Sequence, residues 1–145
     1  MNTKRILNVV VVTFVVAIGA WWQGTIQQSA PTLEVGSGAI ESAFAQRRSD
    51  IQVSASGQIV KVLSDDKQGS RHQRLIVELD SGHSVLIAHN IDVAKRVKGV
   101  LEGQQLAFFG EYEWNEKGGV VHWTHRDLKG QHVDGWLEYK GERYQ

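Results

Sequence analysis

From Ile51 onward the apolar residues of this chain recur at every second position, and that period restricts the fold more than any other property of the sequence. Side chains two apart share one face of a strand, so a half-buried sheet follows. Ile51, Val53 and Ala55 alternate with Gln52, Ser54 and Ser56, and beyond Gly57 the apolar phase passes to Val60 and Val62. A one-residue slip exchanges the two faces, so Gly57 is expected to mark a bulge or sharp bend where one long strand passes between two sheets. After a turn from Ser64 to Ser70, Leu75, Val77 and Leu79 alternate. Asp80-Ser81-Gly82 then reverses the chain, and Val85, Ile87 and His89 form a third strand. Asp92 is placed to cap a helix in which Val93, Ala94, Val97, Val100 and Leu101 keep helical spacing, ended by Glu102-Gly103. Leu106, Phe108, Gly110, Tyr112 and Trp114 resume the period of two. Asn115 to Gly119 turns, and Val121, Trp123 and His125 make a fifth strand.

A bent strand, two further strands, a helix and a closing hairpin is the order of an OB-fold. The expected class is mainly β with one or two short helices: a five-stranded, OB-fold-like Greek-key barrel preceded by a membrane-targeting segment. With 145 residues and 16.2 kDa, the chain has room for one such domain.

The targeting segment is read from Lys4 and Arg5, which precede an apolar run from Ile6 to Trp22 broken only by Asn8 and Thr13. This run of 17 residues is short for a hydrocarbon layer of about 30 Å. Ala17-Ile18-Gly19 suits cleavage as a signal peptide, whereas Trp21 and Trp22 suit an anchor held at the interface. Both alternatives export the domain to the periplasm or beyond, and the second tethers it to the inner membrane. Residues 1–24 are therefore read as signal peptide or anchor. Residues 25–37, without periodicity and containing the single Pro31, are read as a flexible spacer. Residues 38–145 are read as the domain. Its leading helix, 38–48, has Ile40, Ala43 and Phe44 on one side, Ser37 as cap, and Arg47 and Arg48 at the end. An extension over 128–145 carries Trp136, Leu137, Tyr139 and Tyr144, which are expected to pack back onto the barrel.

Charge and cysteine content exclude several functions. Of 16 basic and 16 acidic side chains, four and two fall in residues 1–48, leaving 12 against 14 and a net of −2 for the domain. That balance argues against non-specific binding of nucleic acid. There is no cysteine, so disulfides, thiolate nucleophiles and thiolate-bound zinc are excluded.

The chemistry is concentrated from Gly110 to Trp136, which holds three of the five Trp and three of the six His beside Glu111, Glu113, Asp127 and Asp134. As a binding face, Trp114, Trp123 and Trp136 with Tyr112 would stack on a ligand. Arg71 and Arg74 around His72 would clamp an anion, and His89, Asn90, Asp92 and His132 would complete the set. As a hydrolase, His125 or His122 with Asp127 would serve as general base toward an ester or phosphodiester. As a metal centre, His125, Asp127, His89 and His132 would converge on zinc, the one cofactor these residues suggest. His122 and His125 lie an odd number apart, so on a regular strand they face opposite sides and do not share an ion. The same residues also suit plainer roles: histidines bonded across strands, Trp114 or Trp123 buried in the core, and Asp65-Asp66 forming a turn. The reading favoured is a binding module for an anionic or carbohydrate ligand, with a His/Asp hydrolase or an envelope protein-interaction module as alternatives.

The strings DDKQGSRHQR, LIAHNID, GEYEWN, GGVVHWTH and HVDGW, spread over about residues 40 to 145, resemble a family of short exported bacterial proteins described only as a domain of unknown function. The resemblance implies no activity. In that family an Asp-Pro commonly follows the fourth string, where this chain has Asp127-Leu128, a departure that bears on the shape of the turn. A fainter likeness to exported OB-fold proteins and to the staphylococcal-type nuclease barrel rests on strand order alone and transfers no chemistry.

Overall fold

The computed structural model of the protein describes residues 33–36 and 38–145. The signal or anchor over 1–24, the spacer up to residue 32 and the cap at Ser37 lie outside them. Among the described residues no helix is long and apolar enough to cross a membrane. The elements in order are β1 (Leu33–Val35), α1 (Ala39–Ala45), β2 (Ile51–Asp66), β3 (His72–Leu79), β4 (Ser84–Asn90), β5 (Gln105–Glu113), β6 (Val120–His122), β7 (Trp136–Tyr139) and β8 (Glu142–Tyr144). The fold is thus mainly β with one short helix among the described residues.

The strands form one 8-stranded sheet in the order β1-β2-β3-β4-β6-β5-β7-β8, and a further pairing of β2 with β5 closes the middle five into a ring. All contacts around the ring are antiparallel except that of β4 with β6. Alternation does the rest: Ile51, Val53, Ile59, Leu75, Val77, Val85, Ile87, Leu106, Phe108, Tyr112 and Val121 point inward and are buried.

Closure depends on β2, whose first half pairs with β5 and whose second half pairs with β3. Gly57 stands at the handover, opposite both Leu79 and Leu106. The switch lies where the sequence pattern put it, but the cause is different. Gly57 does not occupy the left-handed region; a Cβ there would lie 2.3 Å from the Glu78 carbonyl oxygen and 2.8 Å from Val77 Cγ1. The strands approach too closely for any side chain. The slip in apolar phase comes three residues later, because Ile59 faces Val77 and Lys61 faces Ile76, leaving Val60 as the extra residue. From there Val62 stands opposite Leu75.

Four expectations are corrected. The helix read over 93–101 is absent, and those residues form turns and coil. Their backbone groups are taken by side chains from the sheet: Gln73 Oε1 accepts from Val97 N–H at 2.9 Å, and its Nε2 donates to the Val97 carbonyl at 3.0 Å. Asp92, instead of capping, accepts from the backbone and side chain of Arg71. Gly99 at φ 61 and three valines add little helix propensity against these bonds. The leading helix is shorter than 38–48, with Gly38 as an N-cap that supplies no side-chain bond. Arg47, at φ 52, lies beyond its end over the Trp114 ring, and Arg48 pairs with Glu34. The end of the expected spacer is ordered as β1, parallel to β2. Finally, β6 stops at His122 because Trp123 adopts φ 52, so no strand reaches His125.

The C-terminal extension becomes the β7-β8 hairpin, added to the sheet beside β5, with Leu137, Tyr139 and Tyr144 buried. The Tyr139 hydroxyl donates to the Gly99 carbonyl and accepts from Leu101 N–H, tying the coil after β4 to the hairpin.

Gly57→Ala is expected to destabilise the protein by about 1 to 3 kcal/mol, the usual cost of forcing extra atoms into a packed contact. The urea midpoint of full-length protein measures it; an unchanged midpoint would show that β2 and β3 can separate freely.

Candidate functional site

Where Ile51, Tyr112 and Val121 point into the core, their neighbours point out. Gln52 of β2, Glu111 of β5 and His122 of β6 stand in register as one row across three strands, with Glu113 two residues along β5. The loop after β6 folds back over this row. The Trp123 ring stacks on His132 with centroids 4.0 Å apart and planes at 9°. His132 Nε2 lies 2.7 Å from Glu111 Oε2, which also accepts from Gln52 Nε2 at 3.3 Å. The second oxygen of Glu111, Oε1, faces His122 Nε2 at 3.5 Å, and Glu113 Oε1 faces it at 3.8 Å.

Asp127 shapes the loop. Its carboxylate accepts the backbone N–H groups of Lys129, Gln131 and His132, while Asp134 accepts the N–H of Asp127 itself. The amide of Lys129 foremost, with those of Gln131 and His132, holds the Asp127 carboxyl below the usual range. These bonds form the turn at Asp127-Leu128, and Leu128 is 83% exposed. Gly135 lets the chain return: a Cβ there would lie 1.9 Å from the Trp123 carbonyl oxygen.

Beside the loop opens a cleft of about 450 Å³. It brings together His72, Asn90, His122, Trp123, His125 and Asp127 from the sequence reading, and adds Arg126 and Lys129. His72 Nδ1 lies 2.8 Å from the Ser70 carbonyl, and His125 Nδ1 lies 2.8 Å from that of Arg126. A carbonyl only accepts, so each ring carries its proton on Nδ1, and in the neutral ring Nε2 keeps a lone pair. Burial lowers the His122 pKa against the pull of Glu111.

A family model described as "Protein of unknown function (DUF3465)" matches residues 26–145. The chain belongs to this family. No curated protein matches the sequence. The family's span includes the ring, the loop over the outward row and the terminal hairpin.

Other residues read as candidates go elsewhere. His89 is fully buried, with Nε2–H donating to the Lys95 carbonyl and Nδ1 accepting from the Thr124 hydroxyl. Both its nitrogens are used, so it ligates nothing. The expected set of His125, Asp127, His89 and His132 does not assemble; instead Glu111, Glu113 and His122 present donor atoms within 4.8 Å of one another. Asp127 and His125 share the cleft wall without a bond between them, as the amides occupy both carboxylate oxygens, so the expected general-base pair is not formed.

The clamp around His72 is likewise not formed. Arg71 is bonded to Asp92, Arg74 donates to the Ser64 carbonyl, and Asn90 accepts from Asp92 N–H. Asp65 is paired with Arg96, and Asp66 caps a turn at Gln68. The four aromatics make no platform. Tyr112 is in the core, Trp114 donates to the Phe44 carbonyl, and Trp136 lies under Arg143 in a larger cleft of about 700 Å³ lined with Ser54, Ser56 and Asp80. Neither Trp114 nor Trp123 is fully buried. The Glu111-x-Glu113 spacing was the signal missed: at period two both carboxylates share a face, and the hairpin register sets His122 beside the first.

The neutral, buried His89 makes stability depend on pH. Burial lowers its folded pKa from the ordinary 6.5, and the same cause lowers that of His122. Below that value the unfolded ring takes up a proton that the folded ring refuses. The contribution is therefore complete above about pH 6.5 and is lost as pH falls toward the folded value. The thermal midpoint should drop on acidification from about pH 7 to about pH 5. In His89→Gln, already less stable at neutral pH, that drop should shrink; an unaltered slope would assign the effect to other groups.

Proposed function

We propose that this protein is an exported binding module of the OB type, whose ligand is a small anion or an anionic carbohydrate held in the cleft beside the loop after β6. The observation that carries the reading is the balance of groups in that cleft. Its one acid, Asp127, is satisfied by three backbone amides, whereas Arg126 and Lys129 make no ion pair among the described residues. Two cations stand beside Asn90 and the carbonyl-tethered rings of His72 and His125, which accept from hydroxyls when neutral and donate to anions when protonated.

The OB reading is supported by the ring order, by a first ring strand shared between both halves and by the parallel contact of β4 with β6. The missing helix between β4 and β5 departs from it. Export is supported by Lys4 and Arg5 ahead of the apolar run. A retained segment would set the module at the outer side of the inner membrane.

Titration of full-length protein with inorganic phosphate, citrate and a uronic-acid oligosaccharide, followed by Trp fluorescence and calorimetry, tests this. At least one should bind saturably and more weakly in high salt. Arg126→Ala with Lys129→Ala should weaken it by about tenfold or more, the equivalent of about 1.4 kcal/mol. Binding of none of them, or undiminished binding by the double variant, would sink the reading.

A further inference from the structure

We propose that Glu111, Glu113 and His122 form a binding site for a divalent transition metal of the zinc class, with His132 and Gln52 as positioning residues for Glu111. The first support is geometric. His122 Nε2 stands 3.5 Å from Glu111 Oε1 and 3.8 Å from Glu113 Oε1, at or beyond the limit of a hydrogen bond. Two ligands on a tetrahedral zinc, each about 2.0 to 2.1 Å from the ion, are separated by about 3.3 Å. The spacing is that of donors around an ion, within the reach of small side-chain adjustments.

The second support is independent of the cluster's charge. His122 Nε2 has no solvent exposure and no hydrogen-bond partner, although it is a strong donor or acceptor in either protonation state. Gln52, 2% exposed, lies against Glu111 with its Oε1 also unpartnered. Buried polar atoms without partners are rare in native folds, and an ion supplies the missing partner for an imidazole nitrogen facing two carboxylates.

The third support is the arrangement behind the donors. Glu111 Oε2 is held by His132 and Gln52, which leaves Oε1 turned toward His122. His132 is itself fixed by its Nδ1 contact with the Val133 carbonyl at 2.8 Å and by its stack on Trp123. Ligating carboxylates in metal sites are oriented by such outer contacts. All three ligands stand on paired strands, so their spacing is fixed by sheet register and not by loop conformation.

The donor set indicates the ion. One imidazole and two carboxylates suit zinc, manganese or iron better than magnesium, which prefers oxygen and retained water. Three protein ligands leave a coordination position open. The proposal uses none of Arg126, Lys129, His72 or His125, so it goes beyond the anion reading and does not rest on it.

Untagged full-length protein, freed of metal with chelator, is titrated with zinc chloride and magnesium chloride by calorimetry and thermal unfolding, without added anion. One equivalent of zinc is expected to bind and raise the midpoint, and magnesium is expected to do neither. Glu113→Gln and His122→Ala should each weaken zinc by about tenfold or more, and His132→Gln by about ten- to hundredfold. His83→Ala, outside the cluster, should bind as wild type. Cobalt substituted for zinc should give a visible spectrum of mixed nitrogen and oxygen ligands that changes in His132→Gln. If His122→Ala does not fold, Glu113→Gln, at a half-exposed position, decides. Failure of the wild type to bind stoichiometric zinc, or binding undiminished in Glu113→Gln, overturns the site. Zinc binding without binding of phosphate, citrate or the uronic-acid oligosaccharide would remove only the anion reading, and anion binding without zinc binding would remove only this one.

Discussion

A sheet that closes on itself has no row of free amides inside the closure, and here closure depends on one strand pairing with two partners at once. β2 can do this only because its middle has no side chain at the point where β3 comes closest. Gly57 serves by absence. Every inward residue of the ring takes its direction from that handover, since a shift of β2 by one position would turn Ile51 and Val53 to the outside and Gln52 inward.

The candidate site inherits the same register. A ring of five strands has a core face and an outer face, and the outer face of β2, β5 and β6 bears Gln52, Glu111 and His122 side by side. Water would normally cover such a row. Here the loop after β6 covers it, pinned by the amides that converge on Asp127, so polar groups that belong to a surface are largely withdrawn from solvent. This enclosure lowers the His122 pKa, and His122 stands both in the wall of the cleft and in the acidic cluster beside it.

Strand positions were legible because each rests on a local alternation: Leu75, Val77 and Leu79, or Leu106, Phe108 and Tyr112, face inward as their period requires. The coil over 92–101 was not legible, since its apolar spacing is helical while its conformation is set by Gln73, distant in sequence, and by His89, buried at the end of the preceding strand. The site was legible in part. His72, His122, Trp123 and His125 meet in the cleft, but the pairing of His125 with Asp127 assumed a strand that Trp123 ends. His89 looked like a ligand because polarity at an inward position reads as function; the structure gives it Thr124 and Lys95 as partners. Glu111 and Glu113 passed as flanking charge because their partner lies on another strand.

The coil between β4 and β5 has no hydrogen-bond ladder of its own. Its backbone is held at Lys95, Val97, Gly99, Leu101 and Gly103 by His89, Gln73, Tyr139 and the backbone of Ile59, groups that belong to four different strands. Such a segment cannot open by fraying from one end. Amide exchange at Val97 should therefore follow the global unfolding of the ring, while neighbouring amides that face water exchange freely, making this irregular stretch part of the same cooperative unit as the sheet.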